Sequence, residues 1–404
     1  MHILMIAPEP FFEARGTPFS EYHRIRALLE LGHTVDLVTY PFGRDVSLPG
    51  LRIVRCVRPP FIARVRIGPS FAKVPLDIAL AVTATRQALQ HRYDLVHSHE
   101  EGSAIGVGLA ALLRVPHLYD MHSSLPQQLS NFAFSRSRSL RALFTLLERF
   151  VIRRSRVIVV ICPHLQETVR AIDPGARTVL IENAPGAGDG PAHRSGQAVR
   201  EELGLSPSTP TVLYTGTFEA YQGLDLLLAA ARRVHATHPD TRIVLVGGNG
   251  NQVARLREEA KSVGLEECML LVGERPAEEI PAYLEAADVL VSPRSKGTNT
   301  PLKIYQYLRA AKPIVATRLL THTQVLTDEV AILTEPTAEA FGEGIVRALT
   351  DRALARRVGV QARTLAETRY SYDAYLDRTR EACAALAADP SARGLKSKAN
   401  SQAI

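Results

Sequence analysis

The sequence predicts an α/β protein made of two doubly wound, parallel-sheet domains. Three features point there. Short β-branched runs alternate with longer amphipathic ones, the short runs are continuously apolar, and the whole pattern stops and restarts once, between Asn183 and Pro210. Continuously apolar strands separated by helices are buried on both faces, as in a parallel sheet covered by crossover helices. A chain of 404 residues, 46% hydrophobic, is also long for one core, because domains usually run to roughly 100–200 residues.

In order, HILMIAP reads as a strand, SEYHRIRALLELG as a helix and HTVDLVTY as a strand; DLVHSHE, GLAALLRV, PHLYDMH and VIVVICP continue the alternation. The segment NAPGAGDGPAHRSGQAVREELGLSPSTP, rich in Gly, Pro and small polar residues, reads as a linker with one short helix. Beyond it TVLYTGT, GLDLLLAAARRVHA, TRIVLVGG, QVARLREEAKSVG, CMLLVGE, DVLVSPR, PLKIYQYLRAA and KPIVATR repeat the scheme. The expected organisation is a first domain over 1–185, a linker over 186–209, a second domain over 210–371, a helix over 372–388 returning to brace the first domain, and a flexible tail over 389–404. Two such sheets facing one another create a cleft at their carboxyl edges, so function is expected in loops that follow strands.

Composition narrows the function classes. Four scattered cysteines, Cys56, Cys162, Cys268 and Cys383, form no CxxC pair, so neither a zinc site nor a disulfide framework is signalled and a reducing cytoplasm fits. MHILMIAPEP has no basic segment ahead of a long apolar run, and no stretch near 18 apolar residues occurs. The net charge of +7 is unevenly spread. Arg52, Arg55, Arg58, Arg64, Arg66 and Lys73 fall in a stretch without an acid, and Arg136, Arg138, Arg141, Arg149, Arg153, Arg154 and Arg156 face only Glu148, with Phe132, Phe134, Phe144 and Phe150 interleaved. Such a surface suits an anionic bilayer, contacted through roughly 59–73 and 132–154, or is a solvated basic face. Nucleic acid shares the electrostatics, but no partner of that kind is expected.

The loops after strands carry the chemistry. EARGTPFSEYHRIR places Gly16 and Thr17 ahead of a helix whose first turn holds Ser20 and Glu21, an arrangement that presents N–H groups to a phosphate or sugar hydroxyl, or serves only as a capped turn. TVLYTGTFEAYQG supplies Gly216, Thr217 and Gly223, which permit close backbone approach, as expected of a diphosphate cradle. VSPRSKGTNTPLKIYQYLRAA gathers Arg294, Lys296 and Lys303 around a helix expected to begin near Thr300, with Pro301 at its first position. Cations and a helix N-terminus together can neutralise a pyrophosphate leaving group. The chain has no Asp-x-Asp pair to hold a divalent ion, so no metal or other cofactor is expected.

Histidine is the second handle. His97 and His99 end one strand and His122 ends the next. His97 reads as structural; His122, beside Asp120 and a polar loop, is the active-site candidate. The i, i+2 spacing of His97 and His99 suggests metal, yet the sequence offers no evident third ligand. TRIVLVGGNGNQ looks like a dinucleotide fingerprint through Gly248 and Gly250, but its position in the middle of a domain favours an ordinary strand-to-helix turn.

Taken together, the GTP loop at Gly16, GHTVDLVT, DLVHSHE, YDMHSS, IENAP, YTGTFEAYQGLDLLL, DVLVSPRSKGTNTPLKIYQYLRAAKPIVAT and the terminal YSYDAY helix resemble glycosyltransferase family 4. These are retaining enzymes of GT-B fold with two facing Rossmann-like domains. The resemblance covers nearly the whole chain. It implies a hexosyl-type transfer from a nucleotide diphosphate sugar in the second domain to a glycan or lipid-linked acceptor in the first, in cell-surface glycan or glycolipid biosynthesis, on the cytoplasmic side and peripheral to the membrane. By the same resemblance, His122 matches the active-site histidine, Gly16 and Thr17 the acceptor-side loop, Asn183 the asparagine before the hinge, and Gly216 and Thr217 the donor loop. Donor binding then falls to Gly216, Thr217, Gln222, Arg294, Lys296, Thr298, Asn299, Thr300 and Gln306, with His122 and Lys303 catalytic. The match has gaps: Thr217 or Phe218 stands where Arg is common, Gln222 where Lys is common, and Thr298 and Gln306 where the family has two glutamates. Either Arg294, Lys296 and Lys303 take over the phosphate and Gln306 hydrogen-bonds the ribose, or the site is degenerate. An epimerase or hydrolase of the same fold and a non-catalytic nucleotide-sugar or lipid-binding subunit are the alternative functions.

Overall fold

A computed structural model describes residues 1–12, 16–62, 65, 70, 73–127, 137–182 and 194–387. Of the sequence expectations, Asn183, Arg64, Arg66, Phe132, Phe134, Arg136, the first part of the linker and the tail lie outside these. The chain divides into two units, Met1–Ile181 with Leu376–Ile404, and Glu182–Tyr375.

The first unit carries β1 (His2–Ala7), α1 (Gly16–Glu30), β2 (Thr34–Thr39), β3 (Leu51–Arg55), α2 (Lys73–Gln90), β4 (Leu95–His99), α3 (Ser103–Leu113), β5 (His117–Met121), α4 (Arg138–Arg154), β6 (Val157–Val160), α5 (Pro163–Ile172) and β7 (Thr178–Leu180). Its seven strands, all parallel, take the order β3-β2-β1-β4-β5-β6-β7. Connections on either side of β1 run in opposite directions, so β1 and β4 flank the topological switch point, where doubly wound sheets hold ligands. Right-handed crossovers put α2, α3 and α4 on one face, and each packs on the next. In the β4–β5 register His99 lies opposite Asp120.

The second unit carries α6 (Gly196–Glu202), β8 (Thr211–Thr215), α7 (Leu224–Thr237), β9 (Arg242–Val246), α8 (Gly250–Ser262), β10 (Met269–Gly273), α9 (Ile280–Ala286), β11 (Val289–Ser292), α10 (Leu302–Arg309), β12 (Ile314–Thr317), α11 (Leu320–Thr323), β13 (Ile332–Thr334), α12 (Ala338–Thr350) and α13 (Arg352–Arg369). Its parallel sheet has the order β10-β9-β8-β11-β12-β13. The switch point here lies between β8 and β11, which places Gly216 and Arg294 side by side just beyond the strand ends. A last helix, α14 (Tyr372–Ala387), follows, and from Leu376 onward it belongs to the first unit. There Arg24 donates to Thr379 (3.2 Å) and Arg177 to the Ala385 carbonyl (3.0 Å).

The structure corrects some sequence expectations and bears out others. Helix α1 begins at Gly16 itself, so Gly16 and Thr17 sit in its first turn, and Ser20 is buried a turn later instead of capping the helix. Helix α10 begins at Leu302, with Pro301 in extended backbone as its N-cap; Thr300 therefore precedes the helix. Of the acid-free basic stretch, Arg52 pairs with Asp36, Arg55 with Asp45 and Lys73, buried, with Glu101 (2.6 Å), all acids from elsewhere in the sequence. These three described cations are therefore paired. The described part of the expected linker contains α6, which packs on α9 with the Gly196 N–H donating to Glu285 (2.8 Å). The VGGNGNQ segment is a strand-to-helix turn, with Gly247 and Gly248 at positive φ and a reciprocal Asn249–Gln252 capping box starting α8.

Candidate functional site

In the first unit, five groups meet near the switch point. Asp120, next to the end of β5, is fully buried, and Arg24, itself buried on α1, donates from Nε to its Oδ2 at 2.8 Å. His97 Nε2 stands 3.4 Å from Oδ2 and His122 Nε2 stands 3.4 Å from Oδ1. His99 Nδ1 is 3.1 Å from His122 Nε2, and the His97 and His99 rings stack with centroids 4.8 Å apart. Burial pushes the Asp120 pKa up, but Arg24 and then His122 outweigh it and hold the carboxyl well below its usual range. Burial drives all three imidazoles the other way, toward the neutral form.

The structure thus supplies the third group missing from the His97–His99 pair. Ligand atoms of His97, His99 and Asp120 lie within 4.8 Å of one another. Arg24 already neutralises Asp120, however, and a divalent ion there would meet a guanidinium. The arrangement suits neutral imidazoles oriented by one carboxylate. Sequence reading found His122 and Asp120 and missed Arg24, whose partner lies 96 positions away.

In the second unit the donor-side residues converge. Lys303 on α10 is buried, with Nζ 3.8 Å from the centroid of the Tyr214 ring and 3.4 Å from Gln222 Oε1. Arg294, after β11, lies over the Tyr221 ring at 5.0 Å and donates to the Asn299 carbonyl (2.8 Å) and Thr321 Oγ1 (3.0 Å). Burial first, then Arg294, pulls the Lys303 pKa well below its ordinary value, and burial lowers that of Arg294. Among the described residues neither cation has an ion-pair partner, while Arg294 Nε and the buried Thr300 Oγ1 have no hydrogen-bond partner. A buried cation without a counter-charge is costly; the chemistry of this pair fits an anion that enters from outside.

Gly216, at φ +136°, lets the chain turn past Lys303, since a Cβ there would stand 2.9 Å from Nζ. Thr217 is held by Tyr214 Oη donating to its carbonyl (2.8 Å), and Gln222 Nε2 reaches Thr217 Oγ1 at 3.4 Å. The carbonyl of Thr298 accepts from Gln324 (2.6 Å) and that of Asn299 from Thr321 (2.6 Å), which fixes the loop between Arg294 and α10. Gln306 is half-buried on α10, and Lys296 is exposed at the loop tip. Tyr214 and Tyr221 were missed as site residues because an aromatic beside a strand reads as core.

Two doubly wound units, the second with buried Lys303 and half-buried Arg294 at its switch point and no carboxylate paired to either among the described residues, define an α/β protein equipped to hold a phosphorylated ligand. Two family models account for most of the chain: one described as Glycosyltransferase Family 4 matches residues 22–184, and one described as Glycosyl transferases group 1 matches residues 196–365. The chain belongs to the family 4 glycosyltransferases and has the GT-B fold. It is 27% identical over 286 residues to the D-inositol 3-phosphate glycosyltransferase of Corynebacterium jeikeium, an alignment covering 67% of this chain and 66% of that protein. Sucrose-phosphate synthase from Thermosynechococcus elongatus superimposes with a TM-score of 0.77 at 21% identity, over 94% of this chain and 97% of that one. Anabaena HepE in complex with UDP-glucose gives a TM-score of 0.70 at 16% identity, over 95% and 99%. No helix among the described residues is long and apolar enough to cross a membrane.

Proposed function

We propose that this protein moves a hexosyl group from a nucleoside diphosphate sugar to a hydroxyl of a glycan or lipid-linked acceptor, with retention at the anomeric carbon and without a divalent metal. The observation that carries the reading is a pair of cations, buried Lys303 and half-buried Arg294, with no carboxylate paired to either among the described residues. They, the Gly216 turn and the N–H groups leading into α10 would hold the diphosphate, with Thr298, Asn299 and Thr300 shaping that loop and Gln306 reaching the ribose. A neighbour of the same fold binds UDP-glucose, which supports the donor class.

In the reaction, the acceptor oxygen bonds to the anomeric carbon as the bond from that carbon to the phosphate oxygen breaks on the same face. The electron pair stays on the departing diphosphate, where Lys303 and Arg294 stabilise it, and the acceptor's proton passes to that oxygen. His122, neutral, orients the sugar, and Gly16 with Thr17 lies on the acceptor side. Since the cations are built in, a metal has no charge left to balance at the donor, and Arg24 fills that role beside Asp120.

Helix α4 supports peripheral contact with an anionic bilayer on the cytoplasmic side. Leu143, Leu146 and Phe150 are exposed on it together with Arg138, Arg141, Arg149, Arg153 and Arg154, and its one acid, Glu148, is buried. On α2, in the same layer, Val74, Ile78, Val82 and Leu89 are also exposed.

The deciding experiment is release of nucleoside diphosphate and product from UDP-, GDP- and ADP-sugars in EDTA, with and without a membrane lipid extract. Acceptor-dependent release from one donor is the expected outcome. An intact sugar nucleotide changed at one carbon would mean an epimerase, release of free sugar without acceptor a hydrolase, and donor binding without release a non-catalytic subunit.

A further inference from the structure

Around Asp120 the order of partners is specific. Oδ2 is taken by Arg24 Nε at 2.8 Å, and Oδ1 is the oxygen that faces His122 Nε2 at 3.4 Å. His122 Nε2 also faces His99 Nδ1 at 3.1 Å. Two protonation patterns are compatible with that last contact: His122 Nε2–H donates to His99 Nδ1, or His99 Nδ1–H donates to His122 Nε2. The second turns a ring lone pair toward an ionised carboxylate oxygen. The first turns a proton toward it, so the charge on Asp120 selects the first.

We propose that Arg24 and Asp120 are positioning residues that fix neutral His122 in the tautomer protonated on Nε2, so that the ring keeps one defined donor and acceptor pattern during the reaction. Arg24 keeps Asp120 ionised and oriented, and Arg24 is in turn held by Thr379 of α14 at 3.2 Å. The terminal helix therefore acts on the ring through two side chains, without touching substrate. The link to turnover rests on the reading of His122 given above; the tautomer itself does not.

The test is the ¹⁵N–¹H spectrum of the unliganded chain labelled at histidine, with the His122 signals assigned by their loss in His122→Ala. The wild type is expected to show Nε2–H at His122. In Asp120→Asn, Arg24 donates to the amide oxygen in the place of Oδ2, which turns the amide NH₂ toward His122 Nε2; His122 is then expected to switch to Nδ1–H. Arg24→Lys is expected to keep the wild-type tautomer, whereas Arg24→Gln is expected to give a mixture. Nδ1–H in the wild type overturns the proposal, as does an unchanged His122 in an Asp120→Asn protein that still unfolds cooperatively. If that variant does not fold, the wild-type spectrum decides alone. With the donor found in the sugar-nucleotide panel, Asp120→Asn is expected to lower kcat on the order of a hundredfold while donor KM stays unchanged; a change confined to KM speaks against it. Full turnover in His122→Ala would instead remove the ring from the reaction and leave the tautomer result standing.

Discussion

Lys303 Nζ rests 3.8 Å from the Tyr214 ring centroid and donates to no carboxylate among the described residues. Its burial is tolerated because the aromatic face and the Gln222 oxygen give partial compensation. The remaining cost makes the site receptive to an anion.

Lys303→Met should therefore separate stability from activity. The pKa of Lys303 in the folded chain lies below its unfolded value, so burying it penalises the fold in full below the folded value, and the penalty fades as pH rises from there to the unfolded lysine value of about 10.4. We expect the unliganded variant to melt above wild type at pH 7, with the gap closing toward pH 10. Turnover should fall by about two to three powers of ten through loss of leaving-group stabilisation. Thermal melts across pH and nucleoside diphosphate release check both, and an unchanged rate would remove Lys303 from the mechanism.

The glycines of the donor edge should grade by what faces them. In Gly216→Ala the new Cβ meets the mobile end of Lys303 at 2.9 Å, whereas in Gly247→Ala it meets the Gly216 carbonyl oxygen at 1.9 Å. Both positions have positive φ, so each substitution costs about 1–3 kcal/mol of backbone strain. Gly216→Ala is expected to fold and to bind donor more weakly; Gly247→Ala is expected to lose more stability because backbone cannot yield. Chemical denaturation and donor titration of the two variants measure the difference.

The alternation of apolar runs was enough to read both sheets, but β3, β7 and β13 were not read as strands. LRIVR carries two arginines at a sheet edge, and TVL and ILT are three residues long, too short for a periodic signal. The donor residues were legible as a local cluster because Arg294 and Lys303 lie nine positions apart across one loop and one helix turn. Arg24–Asp120 was not, because only the sheet order brings α1 beside β5. The pairing of the basic stretch near Arg52 was not legible for the same reason: Asp36, within β2, and Glu101, in the turn after β4, neutralise Arg52 and Lys73.

Membrane contact through α4 has a two-part signature. Arg149→Gln with Arg153→Gln removes two exposed cations and should weaken binding to acidic vesicles by about 2 kcal/mol at low salt, roughly thirtyfold. Leu146→Glu should weaken it at every salt concentration, since an exposed apolar side chain is lost from the same helix. Vesicle flotation at low and high salt distinguishes the two effects, and no binding of the wild type to acidic vesicles at low salt would dismiss the contact.

Gln222 occupies the place where relatives are expected to carry a lysine, and its environment gives a physical reason. Its side-chain oxygen is 3.4 Å from Lys303 Nζ, and Lys303 already feels Arg294. A third cation in that volume would add to the repulsion Lys303 already feels from Arg294. Gln222→Lys should then destabilise the unliganded chain by about 1–3 kcal/mol, the usual scale for an uncompensated buried charge. A nucleoside diphosphate should restore much of that loss, because it brings the missing negative charge. Melting curves with and without UDP, GDP and ADP measure the recovery. A variant as stable as wild type without nucleotide would mean that the pocket has room for a third cation, and that Arg294 did not replace the lysine.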